Sequence, residues 1–577
     1  MRTPTLVGDL RRARLAHPGQ GPGYRRALAD LTDAALAELW AAATADLDAR
    51  GVALTAVGSL GRRDGGPLAD LDLLLVHDGS VDRARLARLA ESLWYPLWDA
   101  HLELDHSVRS LEQCRQVASA DLPAAVGLLD LRVVAGDAGV AETAGRAVLA
   151  DWRSAARRRL PDLLDSVVAR AGRAGELAYL IEPDLKEARG GLRDAVVVRA
   201  LVASWLTDRP HGDLDRSYRH LLDVRDALAR TTGRRSHVLR LAEQDDVAAA
   251  LGLDDDDDVT DPADELLASL AQSARVVSAA LDVTVRRARR AAEKPRPRVF
   301  RPFVVRGRAM PPRLNEPAQG LAEHDGELVL AGGADPAADP FLALRAAATS
   351  ARTGLPLSPV TLTSLGVGAP LPEPWPAAAR DLLVELLGSG EAQVPVWEGL
   401  DLAGVVTTWF PEWSRVRNRP QRTAVHRHTV DRHMVQTVAL VPATAGAVRR
   451  EDLLLLAAFL HDIGKAPGVH DHAAAGARLA GPMMDRLGLA PAERDVVVLL
   501  VREHLLLPGV AGREDLDDPS VVARVAAAVA HDADVLTMLR RLTEADAVAA
   551  GPQAWTTWRA RRVDALTERV RAAVALP

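Results

Sequence analysis

Residues 52–76 constrain the fold of this 577-residue chain more tightly than any other stretch. The apolar run from Val52 to Val57 reads as a short strand, Gly58-Ser59-Leu60-Gly61-Arg62-Arg63 as a tight turn, and Asp70 to Val76 as a second strand. In that second strand Leu71, Leu73 and Leu75 alternate with Asp70, Asp72 and Leu74. Successive strand side chains point to opposite faces, so Asp70 and Asp72 share one. Two carboxylates placed so close repel each other unless a divalent cation sits between them, and hard oxygen ligands suit Mg²⁺ held together with substrate phosphates. Such an arrangement can serve attack on an α-phosphate, the stretch reading as a phosphate-handling turn that feeds a metal-binding strand. Gly-Ser or Asp-x-Asp alone is uninformative; the two in order, ten residues apart, are specific.

That ordered pair resembles the signature of the nucleotidyltransferase superfamily that includes DNA polymerase β. The superfamily needs a third carboxylate on a neighbouring strand to complete metal binding and to orient or deprotonate the attacking hydroxyl. After a helix-like stretch over residues 82–99, His101 to Arg109 returns to strand alternation, and Glu103 and Asp105 share a face there. Glu103, flanked by Leu102 and Leu104, is the favoured third carboxylate, with Asp105 as its competitor.

The chain has 48% apolar residues, enough for several cores, and its length suggests three or four domains. A net charge of -7 gives no global basic field, so no extended nucleic-acid partner is expected. The single cysteine, Cys114, excludes a disulfide framework and a Cys-rich zinc site. Without an uninterrupted apolar stretch of about 18 residues or a signal-peptide core, the expectation is a cytoplasmic protein with no membrane partner.

Three further motifs narrow the resemblance. His106-Ser107-Val108-Arg109, Glu182-Pro183-Asp184-Leu185-Lys186 and Gly190-Gly191-Leu192-Arg193-Asp194 resemble the bifunctional uridylyltransferase and uridylyl-removing enzymes that modify the PII nitrogen-signalling protein. The likeness runs on through Arg225-Asp226-Ala227-Leu228 and Thr232-Gly233-Arg234 into the carboxyl-terminal third. One departure stands out: the family has Gly where this chain has Asp105. The family also continues into two glutamine-responsive ACT domains, which do not follow here before Pro577, so glutamine binding is not carried over.

Residues 151–295 read as a helical domain that closes over the nucleotide. Lys186 and Arg193 can neutralise a triphosphate, or can belong, with Glu182 and Asp194, to a structural polar network. Asp254 to Asp258 reads as a solvated loop, and Arg286 to Arg290 with Lys294-Pro295-Arg296-Pro297 as a charged helix end running into a stiff linker. Residues 296–400 form a mixed connecting region to which no chemistry is assigned.

A second set of polar residues begins at His426-Arg427-His428-Thr429-Val430-Asp431-Arg432-His433. It continues through the apolar run Leu453 to Leu460 into His461-Asp462-Ile463-Gly464-Lys465, then His470-Asp471-His472, Arg502-Glu503-His504 and Glu544-Ala545-Asp546. Imidazoles and carboxylates from separate helices can converge on a divalent metal and ionise its water at neutral pH. The order resembles the HD phosphohydrolase superfamily. That resemblance implies His433, the His461-Asp462 pair and Asp546 as core metal ligands, His472 and His504 as further ligands or phosphate contacts, and Lys465 as a neutraliser of phosphate charge. His428 and His470 stand outside the set.

The expected fold is α+β and mostly helical: a polymerase β-like mixed sheet with a helical lead-in over residues 1–150, the helical domain 151–295, the connecting region 296–400 and an all-α HD domain over 401–577. The implied chemistry is transfer of UMP, or AMP, from UTP or ATP to a PII tyrosine with Mg²⁺, and hydrolysis of the modification with Mg²⁺ or Mn²⁺ at the HD site. The implied forward site comprises Asp70, Asp72 and Glu103, with Gly58, Ser59, Arg62, Lys186 and Arg193 around the nucleotide. Arg62 either stabilises the departing charge or is a solvent-facing loop residue. The alternatives are an RNA nucleotidyltransferase of the CCA-adding type and a regulatory scaffold that has lost an activity.

Overall fold

The computed structural model describes residues 5–210, 212–253, 261–293, 303–305, 308–310, 315–423, 425–444 and 448–575. Asp254 to Asp258 and Lys294-Pro295-Arg296-Pro297 lie outside the described residues. The chain divides into two units, Met1–Asp256 with Ser269–Arg296, and Asp257–Ala268 with Pro297–Pro577.

In the first unit, helices α1 (Thr5–Ala16) and α2 (Gly21–Thr44) form the lead-in. Leu28, Thr32, Ala35, Leu36, Leu39 and Ala43 of α2 are buried at three- and four-residue spacing, which makes one apolar stripe facing the sheet. The sheet has the order β3-β2-β1-β4, with β1 (Val52–Ala56), β2 (Leu71–His77), β3 (Leu104–Ser110) and β4 (Arg132–Gly136). β1 runs antiparallel to β2 and β4, whereas β2 and β3 are parallel. All five residues of β1 are buried, as suits a central strand covered on both faces. The Gly58-Ser59 stretch, expected as a tight turn, is a five-residue helix, α3 (Gly58–Arg62), and Arg63 ends it in the left-handed conformation.

The parallel β2–β3 pair is joined by a crossover helix, as parallel strands require. This is α4 (Arg83–Asp99), capped by Asp82, whose side chain accepts from the amides of Ala84 and Arg85. It buries Leu86, Leu89, Leu93, Trp94 and Leu97. His101, at φ 53, makes the turn that follows, so β3 begins three residues later than the alternation suggested. Beyond β3 come α5 (Leu111–Ala120), α6 (Leu122–Leu128), α7 (Ala138–Ala174), α8 (Leu192–Ala203), α9 (Leu214–Thr232), α10 (Gln244–Ala250) and α11 (Pro262–Ala292). α7 runs unbroken across residue 150. By length and composition α11 could cross a membrane. Its Leu270, Ala274, Val277 and Leu281 are buried, which is the behaviour of a core helix.

The second unit opens with short antiparallel strands, β5 (Phe303–Val305) with β6 (Arg308–Met310), and β7 (Asn315–Ala318), β8 (Leu321–His324) and β9 (Glu327–Leu330). The α-helices that follow among the described residues are α12 (Leu342–Thr353), α13 (Pro359–Leu365), α14 (Ala377–Leu387), α15 (Gln393–Leu402), α16 (Val405–Trp409), α17 (Val430–Thr444), α18 (Glu451–Leu460), α19 (His472–Arg486), α20 (Pro491–Glu503), α21 (Leu506–Arg513), α22 (Pro519–Ala528), α23 (Ala533–Ala550) and α24 (Thr557–Val574). α18 is buried from Leu453 to Leu460, the pattern of a helix surrounded by others. An aromatic nest holds its end: Phe459 stacks on Trp413 with ring centroids 5.4 Å apart and meets Trp397 and Phe410 edge-on or tilted, each at 5.0 Å. The fold is thus α+β and mostly helical, as its sequence pattern implies.

Candidate functional site

Two groups of polar side chains stand out, one in each unit. The first lines a cleft of about 660 Å³ that takes in Ser59, Asp70, Asp72, Asp105, Lys186, Arg193, Arg235 and His237. Parallel pairing sets Asp72 directly beside Asp105, and Leu71 beside Leu104. Asp105 is an ordinary extended strand residue, so the glycine of the resembled family is not required here for its backbone. Burial, reinforced by the charges of Asp70 and Asp105, pushes the Asp72 carboxyl up to about 6. Asp70 and Glu103 are both held by Arg235: one guanidinium nitrogen donates to Asp70 Oδ2 at 2.7 Å and another to Glu103. Glu103 faces out and does not line the cleft, whereas Asp105 does.

Gly58 is in place for a steric reason. Its φ is +57, and a Cβ there would stand 2.9 Å from Asp72 Oδ2. The loop leading to Asp70 is clamped from below. Arg14 donates to the carbonyls of Gly66 and Ala69 at 2.7 and 3.1 Å, Arg225 to the Asp64 carbonyl at 2.8 Å, and the Tyr218 hydroxyl to Asp64 Oδ2 at 2.6 Å. Arg62 belongs to this scaffold, paired with Asp64 at 2.9 Å and Asp130 at 2.7 Å and largely buried. Asp194 is fully buried, bonded to Arg170 and to the Gly190 amide at 2.7 Å, where Gly190 takes φ +83. Arg193 pairs with Glu187 at 2.8 Å. Lys186 is half-buried in the cleft wall; burial lowers its pKa and Arg193 lowers it further, against the pull of Asp70.

The second group gathers five helices. His433 comes from α17, His461 and Asp462 from the end of α18, His472 from the start of α19, His504 from the end of α20 and Asp546 from α23. His433 Nε2 lies 2.9 Å from Asp546 Oδ1 and 3.3 Å from His461 Nε2. Asp462 spans the group: Oδ2 is 3.4 Å from His461 and 2.6 Å from Lys465 Nζ, while Oδ1 is 3.4 Å from His472 and 3.6 Å from His504. Two possible three-ligand sets result, His433-His461-Asp546 and Asp462-His472-His504.

The donor set fits divalent cations. His461 Nδ1 donates to the Ala458 carbonyl at 2.8 Å and His504 Nδ1 to the Val501 carbonyl at 2.7 Å, so in the neutral rings the lone pair of each Nε2 points inward. Among the described residues the buried His504 Nε2 and Asp462 Oδ1 have no hydrogen-bond partner. Burial opposes charge on His461, yet Asp462 and Asp546 push it up to about 10. The two carboxylates favour positive charge in a buried pocket, and a divalent cation could supply it. Gly464 makes the convergence possible, because a Cβ there would stand 2.2 Å from the His472 carbonyl and 2.3 Å from the Gly476 amide nitrogen.

His426 has no place in the ligand set expected from sequence. Its ring meets that of His433 at 5.3 Å, and Nδ1 bonds Thr423 Oγ1 at 2.6 Å. Arg235, too, stands outside the set expected from sequence: it lies one residue beyond Thr232-Gly233-Arg234, and no spacing signal links it to Asp70.

Comparisons with known proteins decide the family. A family model described as GlnD PII-uridylyltransferase matches residues 158–284, and an HD domain model matches residues 430–550. A bifunctional uridylyltransferase/uridylyl-removing enzyme of Streptomyces coelicolor is 51% identical over 96% of this chain and 66% of its own length. One from Mycobacterium tuberculosis is 42% identical over 92% and 64%, and one from Corynebacterium glutamicum 36% identical over 88% and 70%. The chain belongs to the bifunctional uridylyltransferase/uridylyl-removing enzyme family. It spans 66% and 64% of the Streptomyces and Mycobacterium relatives, slightly less than two thirds. The HD family match contains His433, His461, Asp462, His472, His504 and Asp546; the uridylyltransferase match contains Lys186, Arg193 and Arg235.

Proposed function

We propose that this chain transfers UMP from UTP to a tyrosine of the PII protein in the cytoplasm and removes it again at a separate site. AMP from ATP is the variant the geometry allows equally. The observation that carries the reading is the pair of cation-ready clusters, one acidic beside a nucleotide-sized cleft and one of mixed imidazole and carboxylate.

In the forward direction Asp70, Asp72 and Asp105 would hold Mg²⁺, which when bound supplies charge neutralisation to the triphosphate and to the developing pyrophosphate. Asp105 takes the third position in place of Glu103 because it lines the cleft beside Asp72. Ser59 and the first amides of α3 receive phosphate oxygens, and Lys186 adds positive charge from the wall. The tyrosine oxygen attacks the α-phosphorus, the bond to the β-phosphate oxygen breaks, pyrophosphate leaves, and the phenolic proton passes to a carboxylate. Arg62 and Asp194 act as scaffold, since each is already consumed by buried partners.

In the reverse direction His433, His461 and Asp546, with Asp462, His472 and His504, would hold Mg²⁺ or Mn²⁺; these ions make water nucleophilic at neutral pH. Lys465 neutralises phosphate charge beside Asp462. Water attacks the phosphorus, the bond to the tyrosine oxygen breaks, and the phenol regains its proton. Incubation of the purified chain with PII, Mg²⁺ and α-labelled UTP or ATP tests the reading: label on a PII tyrosine supports it, and label on RNA or on nothing contradicts it.

A further inference from the structure

Arg235 occupies the place where a cation is wanted. Its fork spans Asp70 and Glu103, across 165 and 132 residues of sequence, and it shares the cleft wall with Lys186 and Ser59. The backbone just after it is pinned: the Leu185 amide donates to the His237 carbonyl at 2.8 Å, and the Leu239 amide to the Pro183 carbonyl at 3.0 Å. The side chain itself is about a third exposed, on a long stem, and can swing without moving that anchor. Before it, Gly233 ends α9 at φ +61.

A guanidinium and a divalent cation cannot share the same Asp70 oxygen, and each repels the other at that distance. A triphosphate offers the fork a bidentate partner of higher charge density than one carboxylate. We propose that Arg235 is a positioning residue that guards the acidic cluster in the resting chain and swings to the triphosphate when nucleotide enters, freeing Asp70 for the cation. Metal and nucleotide therefore bind together, and metal alone binds poorly. The coupling is reciprocal, because whatever draws Arg235 away from Asp70 favours the other ligand equally. The inference rests on the nucleotidyl-transfer reading above.

The test is a pair of binding titrations on the full chain, Mn²⁺ alone and UTP or ATP with Mg²⁺, for the wild type and Arg235→Gln. The Asp70→Asn/Asp72→Asn variant is titrated with Mn²⁺ in parallel, to subtract the imidazole cluster. The expected result has opposite signs: Arg235→Gln binds Mn²⁺ at the acidic cluster about tenfold more tightly and nucleotide about tenfold more weakly. Arg235→Lys, which keeps charge without the fork, falls between. If Arg235 only props up the carboxylates, Mn²⁺ and nucleotide affinity fall together, which overturns the inference; so does a variant unchanged in both. Wild-type chain that binds neither UTP nor ATP overturns the nucleotidyl-transfer reading itself, a different outcome.

Discussion

Asp72 and Asp105 stand side by side across the parallel pairing of β2 and β3, and both line the same cleft. Glu103, just before β3, is exposed, pairs with Arg235 and does not line the cleft. Asp105→Asn is therefore expected to lower nucleotidyl transfer by about 100-fold or more, whereas Glu103→Gln lowers it by less than about tenfold. Initial rates of label incorporation into PII, measured for both variants, check the ranking.

At the second cluster, His433→Ala removes one proposed metal ligand while leaving the acidic cluster of the other unit intact. Uridylyl removal should fall by about 100-fold or more, with transfer unchanged, and metal content measured on the purified chain should drop. A fall in both activities with the circular dichroism spectrum unchanged would contradict the separation of the two sites.

Gly464→Ala puts a methyl group into the backbone of α19, 2.2 Å from the His472 carbonyl. Relief requires the start of α19 to move away from Asp462, at an expected cost of about 1–3 kcal/mol. Urea unfolding of the wild type and the variant, followed by circular dichroism, reads the loss.

His237 provides a pH dependence. Burial, with Lys186 and Arg225 nearby, lowers its pKa from 6.5 to about 4. The folded chain resists a proton that the unfolded chain accepts, so stability is complete above pH 6.5, declines as pH falls, and stops declining below about 4. At pH 5 the loss from this one group is about 1–2 kcal/mol. His237→Gln, which cannot charge, should show a smaller drop in unfolding midpoint between pH 7.5 and 5 than the wild type.

Local periodicity made much of this protein legible in its sequence. Alternation put Asp70 and Asp72 on one face, residues 82–99 read as a helix, and the apolar run into His461-Asp462 announced a helix ending in polar side chains. Contacts that depend on register or on distant chain were not legible. The choice between Glu103 and Asp105 turns on how β3 is aligned to β2 and on an arginine 132 residues away. Arg62 reads as a loop cation, yet it is consumed by Asp64 and Asp130, partners that no helix or strand period reports. Gly58-Ser59 reads as a tight turn, whereas the structure makes it the start of α3, with Gly58 at φ +57 leaving room for Asp72 Oδ2, a contact from the next strand that no local pattern reports.

One chain, on the proposed reading, makes and breaks the same bond at two separate clusters. The direct measurement is a paired assay of Asp70→Asn/Asp72→Asn and His461→Ala/Asp462→Ala, each scored for label transfer from UTP to PII and for release of UMP from modified PII. The account predicts that the first variant releases but does not transfer, and that the second transfers but does not release. Loss of both reactions in either variant, with the fold intact by circular dichroism, would contradict it.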